Sequence, residues 1–299
     1  MIDNKVVTAL LGDPVEHSVS PTLYGTFAEA IGIDDYQHLK VRVQSDVDGD
    51  LEKAIEGLRA FGLVGCNITL PFKQDTLELV DELDETVDKI GAVNTIQNED
   101  HRLVGYNTDG VGALKSIEER SRKITSNDKV VILGAGGAAR AVSSEVYERT
   151  TDLVLVNRTL ERAERLVNDL ESWGGNGAEP LELDDENLRA ELVNADFVLN
   201  CTSVGMHPDT DATVVPPRVL DHVDEQRGGL DNMIFWDAIF NPLQTMFLEE
   251  AEKRNATTID GLGMMIYQGT EAFELWTGET VPEEAIVEAR DRMEEELLS

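Results

Sequence analysis

The stretch Gly134-Ala135-Gly136-Gly137-Ala138-Ala139 constrains the fold of this chain more than any other, because of what flanks it. The apolar run Val130-Val131-Ile132-Leu133 before it reads as a buried strand, and Ala138 to Arg149 carries a helical pattern. A Gly-x-Gly-x-x-Ala turn between strand and helix is the dinucleotide fingerprint. Its first glycine permits a tight turn, its second lets the backbone approach a pyrophosphate, and small Ala139 lets helix and strand pack closely. The helix N-terminus then faces the anion. A second apolar run, Leu153-Val154-Leu155-Val156, follows at once. Strand, turn, helix and strand fit within about 30 residues, the size of one βαβ unit, and the expected architecture is a doubly wound parallel sheet.

An NAD site usually places Asp or Glu at the end of the second strand, where it takes the ribose 2′-hydroxyl. Here Asn157-Arg158-Thr159-Leu160-Glu161-Arg162 stands instead. The planar fork of Arg158 suits a 2′-phosphate, Thr159 adds a hydroxyl, and Arg162 reaches the same side from the next helical turn. Arginines are usually solvated surface charges. With only 25 basic residues against 59 acidic ones, two at this place select NADP.

With 299 residues and 41% apolar content, the chain can bury two cores, so two domains are expected. It has no apolar run of about 18 residues to span a bilayer, and Met1 to Lys5 lack the organisation of a signal peptide. A cytoplasmic setting is expected. Cys66 and Cys201 have no partner spacing, so neither disulfide nor metal is expected. The formal charge of −34 is spread along the whole chain, on the polar positions of helical segments such as Leu77 to Val87 and Glu283 to Leu298. That balance disfavours nucleic acid as a partner and suits a halophilic protein whose self-repulsion is screened by salt. The chain is compatible with a homodimer.

The N-terminal third presents polar side chains in clusters. Val6 to Leu11 reads as a strand, and Ser20-Pro21 as the N-cap and first residue of a helix to about Ile31. Ser18 has no capping duty, and two hydroxyls two residues apart suit a small carboxylate. Gly65 to Thr69 reads as a strand whose alternation puts Asn67 and Thr69 on one face, with Lys73 just beyond Pro71. Ala92 to Gln97, containing Asn94, and Leu103 to Tyr106 read as two more strands. Asn107-Thr108-Asp109-Gly110 leads into a helix ending near Arg122, where Asp109 suits a helix start.

Together these segments closely resemble the shikimate dehydrogenase family. The resemblance rests on His17 to Pro21, Asn67 to Lys73, Gly91 to Thr95, Asn107 to Gly110, Gly134 to Ala139, Asn157 to Arg162, and Asp260 to Met264 with Gln268. It implies that Ser18, Ser20 and Thr69 hold the substrate carboxylate and ring, and that Asn94 and Gln268 bind ring hydroxyls. Lys73 and Asp109 match the catalytic pair. Gly134, Ala135, Gly136, Gly137 and Ala138 with Asn157, Arg158, Thr159 and Arg162 match the NADP site, which Ala238 and Gly261 join. The loop Cys201 to Met206, after the strand Phe197 to Asn200, is implied to lie beside the cofactor. Phe240, within the strand expected over Met233 to Phe240, departs from the family's usual tyrosine near the substrate. Helices are expected over Leu243 to Arg254, Met264 to Trp276 and Glu283 to Leu298. The resemblance returns the last two to the N-terminal domain, giving a substrate-binding α/β domain of 1–108 plus 262–299 and a Rossmann-type NADP-binding domain of 109–261.

The expected chemistry is reduction of the 3-keto group of 3-dehydroshikimate. Negative charge grows on the carbonyl oxygen as hydride arrives, and Lys73, held by Asp109, supplies a charged hydrogen bond and a proton. A quinate/shikimate dehydrogenase shares this pair, although NAD preference there would favour an acid in place of Arg158. A non-catalytic nucleotide-sensing protein would keep the glycine turn without needing Lys73 and Asp109.

Overall fold

The computed structural model describes residues 5–174 and 177–298; Met1 to Asn4, read above for a leader, lie outside them. The chain divides into two compact units, Met1–Thr108 with Ile266–Ser299, and Asp109–Met265.

In the first unit, β1 (Val6–Gly12), α1 (Ser20–Ala30), β2 (Tyr36–Arg42), α2 (Asp50–Phe61) and β3 (Gly65–Ile68) follow in turn. A 3-10 turn (Asp75–Glu78), β4 (Glu82–Leu83), α3 (Glu85–Ile90) and the hairpin β5 (Thr95–Glu99) and β6 (Arg102–Tyr106) complete its N-terminal part. The sheet order is β2-β1-β3-β5-β6-β4. Val7, Ala9 and Leu11 point to one face and pack in one core with Leu51, Ile55 and Leu58 of α2, while Thr8 and Leu10 are buried on the other face. Strand β1 runs parallel to β3 with Leu11 opposite Ile68. The two strands therefore end at one edge, and the loops carrying Ser18 and Thr69 leave from there.

The helix expected over Leu77 to Val87 is not formed. The Asp81 carboxylate accepts the Leu103 N–H at 2.7 Å, and Asp84 caps α3 by accepting from Thr86 N–H. Acidic side chains that bond backbone groups interrupt a helix instead of lining it. Asn94 lies just before β5, outside the paired strand.

The second unit runs α4 (Asp109–Arg120), β7 (Lys129–Leu133), α5 (Gly137–Tyr147), β8 (Asp152–Asn157), α6 (Leu160–Ser172), β9 (Ala178–Glu182) and α7 (Asp185–Leu192). Then come β10 (Phe197–Asn200), α8 (Pro217–Arg227), β11 (Ile234–Asp237), α9 (Met246–Glu252) and β12 (Thr257–Ile259). The strand order β12-β11-β10-β7-β8-β9 is parallel throughout, the doubly wound arrangement expected from the glycine turn. Val130, Ile132, Leu153, Leu155, Phe197, Leu199 and Trp236 enter one core; Val131, Leu133, Val154, Val156, Val198 and Phe235 enter the other. Burial on both faces is why these strands read as unbroken apolar runs.

Strand β11 is shorter than the Met233 to Phe240 reading. It stops at Asp237, whose buried carboxylate accepts the Ile239 N–H at 3.0 Å and turns the chain out of the sheet. Helix α9 is likewise shorter than Leu243 to Arg254, because Thr245 caps it by accepting from Leu248 N–H. Helix α10 (Leu262–Thr277) starts in the second unit and ends in the first, where α11 (Glu283–Leu298) lies against α1. Among the described residues no helix is long and apolar enough to cross a membrane, and no three His, Cys, Asp or Glu side chains group as metal ligands. Cys66 and Cys201 are buried free thiols.

Candidate active site

The hydroxyls of Ser18 and Ser20 lie 2.9 Å apart at the start of α1. Ser20 is the first helical residue and Val19 occupies the cap without a side-chain bond. This corrects the capping role expected of Ser20: Ser18 Oγ instead accepts the Ser20 N–H at 3.2 Å, so Ser18 has a local duty after all. Lys40 braces the same loop, donating to the Glu16 carbonyl at 2.7 Å. His17 is exposed.

Thr69 leaves β3 with its N–H bonded to the Leu11 carbonyl at 2.9 Å. A Cβ on Gly12 would stand 2.2 Å from Thr69 Cγ2, so only glycine permits this approach of the two strand ends. The Lys73 carbonyl accepts the Val93 N–H at 2.8 Å, which ties the backbone of Lys73 to the neighbour of Asn94.

Asn94 is buried, with 2% of its surface exposed. Its Oδ1 accepts the Thr108 N–H at 2.9 Å, and its Nδ2 donates to Thr108 Oγ1 at 3.0 Å and to Gln268 Oε1 at 3.4 Å. Two amides 174 residues apart are thus brought together, with Thr108 as the bridge. Beneath them Asn67 accepts from the Tyr24 hydroxyl at 2.7 Å and donates to Thr95 Oγ1 at 3.2 Å. Gly269 presses against α1: a Cβ there would fall 2.4 Å from Leu23. Gln268 and the helix carrying Ser20 are held in register by that contact.

Thr108 lies within the Asn107 to Gly110 motif but is given no role there, and Tyr24 escaped the sequence reading. So did His38, whose Nδ1 lies 2.7 Å from Thr8 Oγ1. Burial pushes its pKa down to about 3, which keeps the ring neutral.

In the second unit, Gly134 has φ +112°, and a Cβ there would lie 3.1 Å from the Cys201 carbonyl oxygen. Side chains other than glycine are strained in that conformation. Gly136 and Gly137 differ, because a Cβ on either would meet nothing within 4 Å. Open backbone at the N-terminus of α5, capped by no side chain, fits a pyrophosphate. Ala139 is fully buried, while Ala135 and Ala138 pack on the same core.

At the end of β8, Asn157 Nδ2 donates to the Thr159 carbonyl at 2.8 Å and shapes the turn into α6. Thr159 is the N-cap residue of α6, and its hydroxyl makes no capping bond. Arg158 and Arg162 are exposed and enter no ion pair among the described residues, in a chain where most arginines face acids. Gly261 packs so closely on the 238–239 turn that a Cβ would lie 2.5 Å from the Ala238 carbonyl. Phe240 is partly buried. Asp109 begins α4 and is 7% exposed. It belongs to the second unit, and Lys73 to the first.

Fold and glycine turn define a doubly wound α/β protein of the dinucleotide-binding class. Residues 10–96 match the shikimate dehydrogenase substrate-binding domain, residues 117–233 the shikimate/quinate 5-dehydrogenase family, and residues 261–289 the shikimate 5′-dehydrogenase C-terminal domain. The chain is 42% identical to the shikimate dehydrogenase (NADP(+)) of Methanopyrus kandleri, over 95% of its own length and 94% of the relative's. A crystal structure of a shikimate dehydrogenase in complex with NADP+ shares its fold with a TM-score of 0.85 at 36% identity, covering 97% of this chain and 96% of the other. The shikimate 5-dehydrogenase of Listeria monocytogenes, in complex with shikimate and NAD, gives 0.85 at 32% identity, covering 96% and 97%. The chain belongs to the shikimate dehydrogenase family.

Proposed function

We propose that this protein catalyses the reversible, NADPH-dependent reduction of 3-dehydroshikimate to shikimate, a step of chorismate and aromatic amino-acid biosynthesis. The observation that carries the reading is the bonded Asn94, Thr108 and Gln268 cluster beside the backbone anchor of Lys73. Two amides side by side offer both donors and acceptors, the chemistry that neighbouring ring hydroxyls require. Ser18 and Thr69, on loops from one sheet edge, and Ser20, at the start of α1, are assigned to the carboxylate and ring.

Lys73 is assigned as the proton donor. Its ammonium meets the charge that develops on the C3 oxygen during reduction and accepts a proton back during oxidation. Asp109 is assigned, by the family resemblance, as the second member of the catalytic pair. Bound along the glycine turn, NADPH supplies the hydride. Gly134 to Ala138 hold its pyrophosphate, Asn157, Arg158, Thr159 and Arg162 its 2′-phosphate, and Ala238 and Gly261 the other end. Support for NADP over NAD comes from the unpaired arginines and the spare Thr159 hydroxyl, which together suit a dianion. Phe240 contributes packing where a hydroxyl would otherwise stand.

Concentrated salt is assigned as the working medium. The charge of −34 supports it, as does a helix such as α11, which buries Ala285, Ala289 and Met293 and turns its acids outward. The substrate-binding role belongs to the first unit and the NADP-binding role to the second. A soluble, polar substrate accords with a cytoplasmic setting. Incubation with 3-dehydroshikimate and NADPH, with the product identified by NMR, tests the proposal: equimolar loss of NADPH and appearance of shikimate are expected, and no turnover would reject it.

A further inference from the structure

The sheet order of the second unit gives the cofactor a direction. The glycine turn follows β7, the 2′-phosphate candidates follow β8, and β10 and β11 lie on the opposite side of β7. A dinucleotide whose pyrophosphate sits at the switch point between β7 and β10 therefore extends its nicotinamide half over the carboxyl ends of β10 and β11. The loops that leave there are 201–206 and 238–245.

One buried group joins both loops. Asp237, the last residue of β11, has no exposed surface. Its Oδ1 accepts from Asn200 Nδ2 at 3.0 Å and from Ile239 N–H at 3.0 Å, and its Oδ2 from the Thr245 hydroxyl at 2.7 Å. Asn200 ends β10, and its Oδ1 accepts both the N–H and the hydroxyl of Thr202, at 3.0 and 2.7 Å. The Thr202 hydroxyl in turn accepts the Val204 N–H at 3.1 Å. Thr245 passes the order into α9 through its cap bond to Leu248. Burial raises the carboxyl to about 6, and the three hydrogen bonds donated to it oppose that rise by favouring the anion. A carboxylate buried without a cation is costly, and here its donors come from the end of β10 and from both ends of loop 238–245.

We propose that Asp237 is a positioning residue that presets loops 201–206 and 238–245 for the nicotinamide end of the cofactor. This rests on the NADP-dependent reading of the second unit. Removing the acceptor releases Asn200, Ile239 and Thr245 together, while the phosphate half of the site, at β7 and β8, keeps its own supports.

The test uses the whole chain and Asp237→Ala, Asp237→Asn, Thr245→Val and Thr245→Ser. Asparagine keeps one oxygen for Asn200 and Ile239 and presents its amide to Thr245, whose hydroxyl can then accept. Three quantities are read: the Kd for NADPH, the fluorescence of the bound reduced nicotinamide, and hydrogen–deuterium exchange of loops 201–206 and 238–245. For Asp237→Ala, shikimate turnover is expected to fall at least about tenfold, with Kd changed less than about threefold. Bound-NADPH fluorescence should shift toward that of the free cofactor, and both loops should exchange faster. Asp237→Asn should restore most of each signal. Should Asp237→Ala not fold, Thr245→Val carries the same comparison, with Thr245→Ser as its rescue. A lowered melting temperature with unchanged fluorescence and loop exchange would overturn the proposal, as would equal losses in the alanine and asparagine variants. A wild-type chain that bound NADPH without oxidising shikimate would reject the proposed activity alone, leaving fluorescence and exchange to decide the role of Asp237.

Discussion

Replacing Arg158 by alanine should change the choice of cofactor more than it changes catalysis. Arg158 follows the last residue of β8, in a turn shaped by the Asn157 bond to the Thr159 carbonyl, and the first turn of α6 carries Arg162. A phosphate placed there meets two guanidinium groups, a hydroxyl and a helix N-terminus. A hydrogen bond to a charged partner contributes about 1.5–3 kcal/mol. Arg158 is exposed, so solvent screening moves the expected loss to the lower end, about 1.5 kcal/mol, or roughly tenfold in kcat/KM with NADP. NAD carries no 2′-phosphate, and its kcat/KM should stay within about twofold. Arg158→Asp should go further, because repulsion replaces attraction. Initial rates of shikimate oxidation with both cofactors, at one salt concentration, give the ratio. Equal losses with NADP and NAD, or an unchanged NADP efficiency, would show that the phosphate binds elsewhere.

Lys73→Ala should lower kcat by orders of magnitude while the Kd for NADPH stays close to wild type; near-normal turnover would refute the proton-donor role. Stability and activity should both rise from dilute buffer to molar salt, as the Debye length falls from about 10 Å at 0.1 M to about 3 Å at 1 M and dozens of like charges are screened. Unfolding midpoints and rates across a salt series check this, and full stability in dilute buffer would contradict it. Asp237 should give a pH signature of opposite sign to a salt-bridged carboxylate. Its folded pKa, raised from 3.8 to about 6, means that the unfolded chain releases the proton first, so its contribution is largest below pH 3.8 and lost as pH climbs through 6. The full span is about 3 kcal/mol, of which roughly 1 kcal/mol falls between pH 5 and 7. Over that interval Asp237→Asn should gain stability relative to wild type, and a constant difference would remove the titration from Asp237.

The second unit was legible in the sequence where its strands are buried on both faces. Val130 to Leu133 and Leu153 to Val156 read as interior strands because both faces are apolar, and the glycine turn between them, with Gly134 at φ +112°, fits a strand-to-helix crossover. The same logic misled at β11. Ile234-Phe235-Trp236 is so apolar that Asp237 passed as one more strand position, although its carboxylate is what ends the strand. Strand β2 and helix α2 were not read at all. Tyr36 to Arg42 is an edge strand with polar residues at most positions, and edge strands lack the apolar period of central ones. The acids of Leu77 to Val87 looked like the outer face of a helix because periodicity does not show whether a carboxylate meets water or a backbone N–H. Within the candidate site, the serine pair and the strand-end Thr69 were visible as local clusters. The pairing of Asn94 with Gln268 was not, since no local pattern spans 174 residues, and it came only through family resemblance.

The most direct test compares kcat/KM for shikimate and quinate, each with NADP and NAD, on the purified protein in molar salt. Shikimate with NADP is expected to exceed every other pairing, and to exceed shikimate with NAD by at least about tenfold, the factor assigned above to the 2′-phosphate contact. Equal or greater efficiency with quinate, or with NAD, would contradict the substrate and cofactor assigned to this chain.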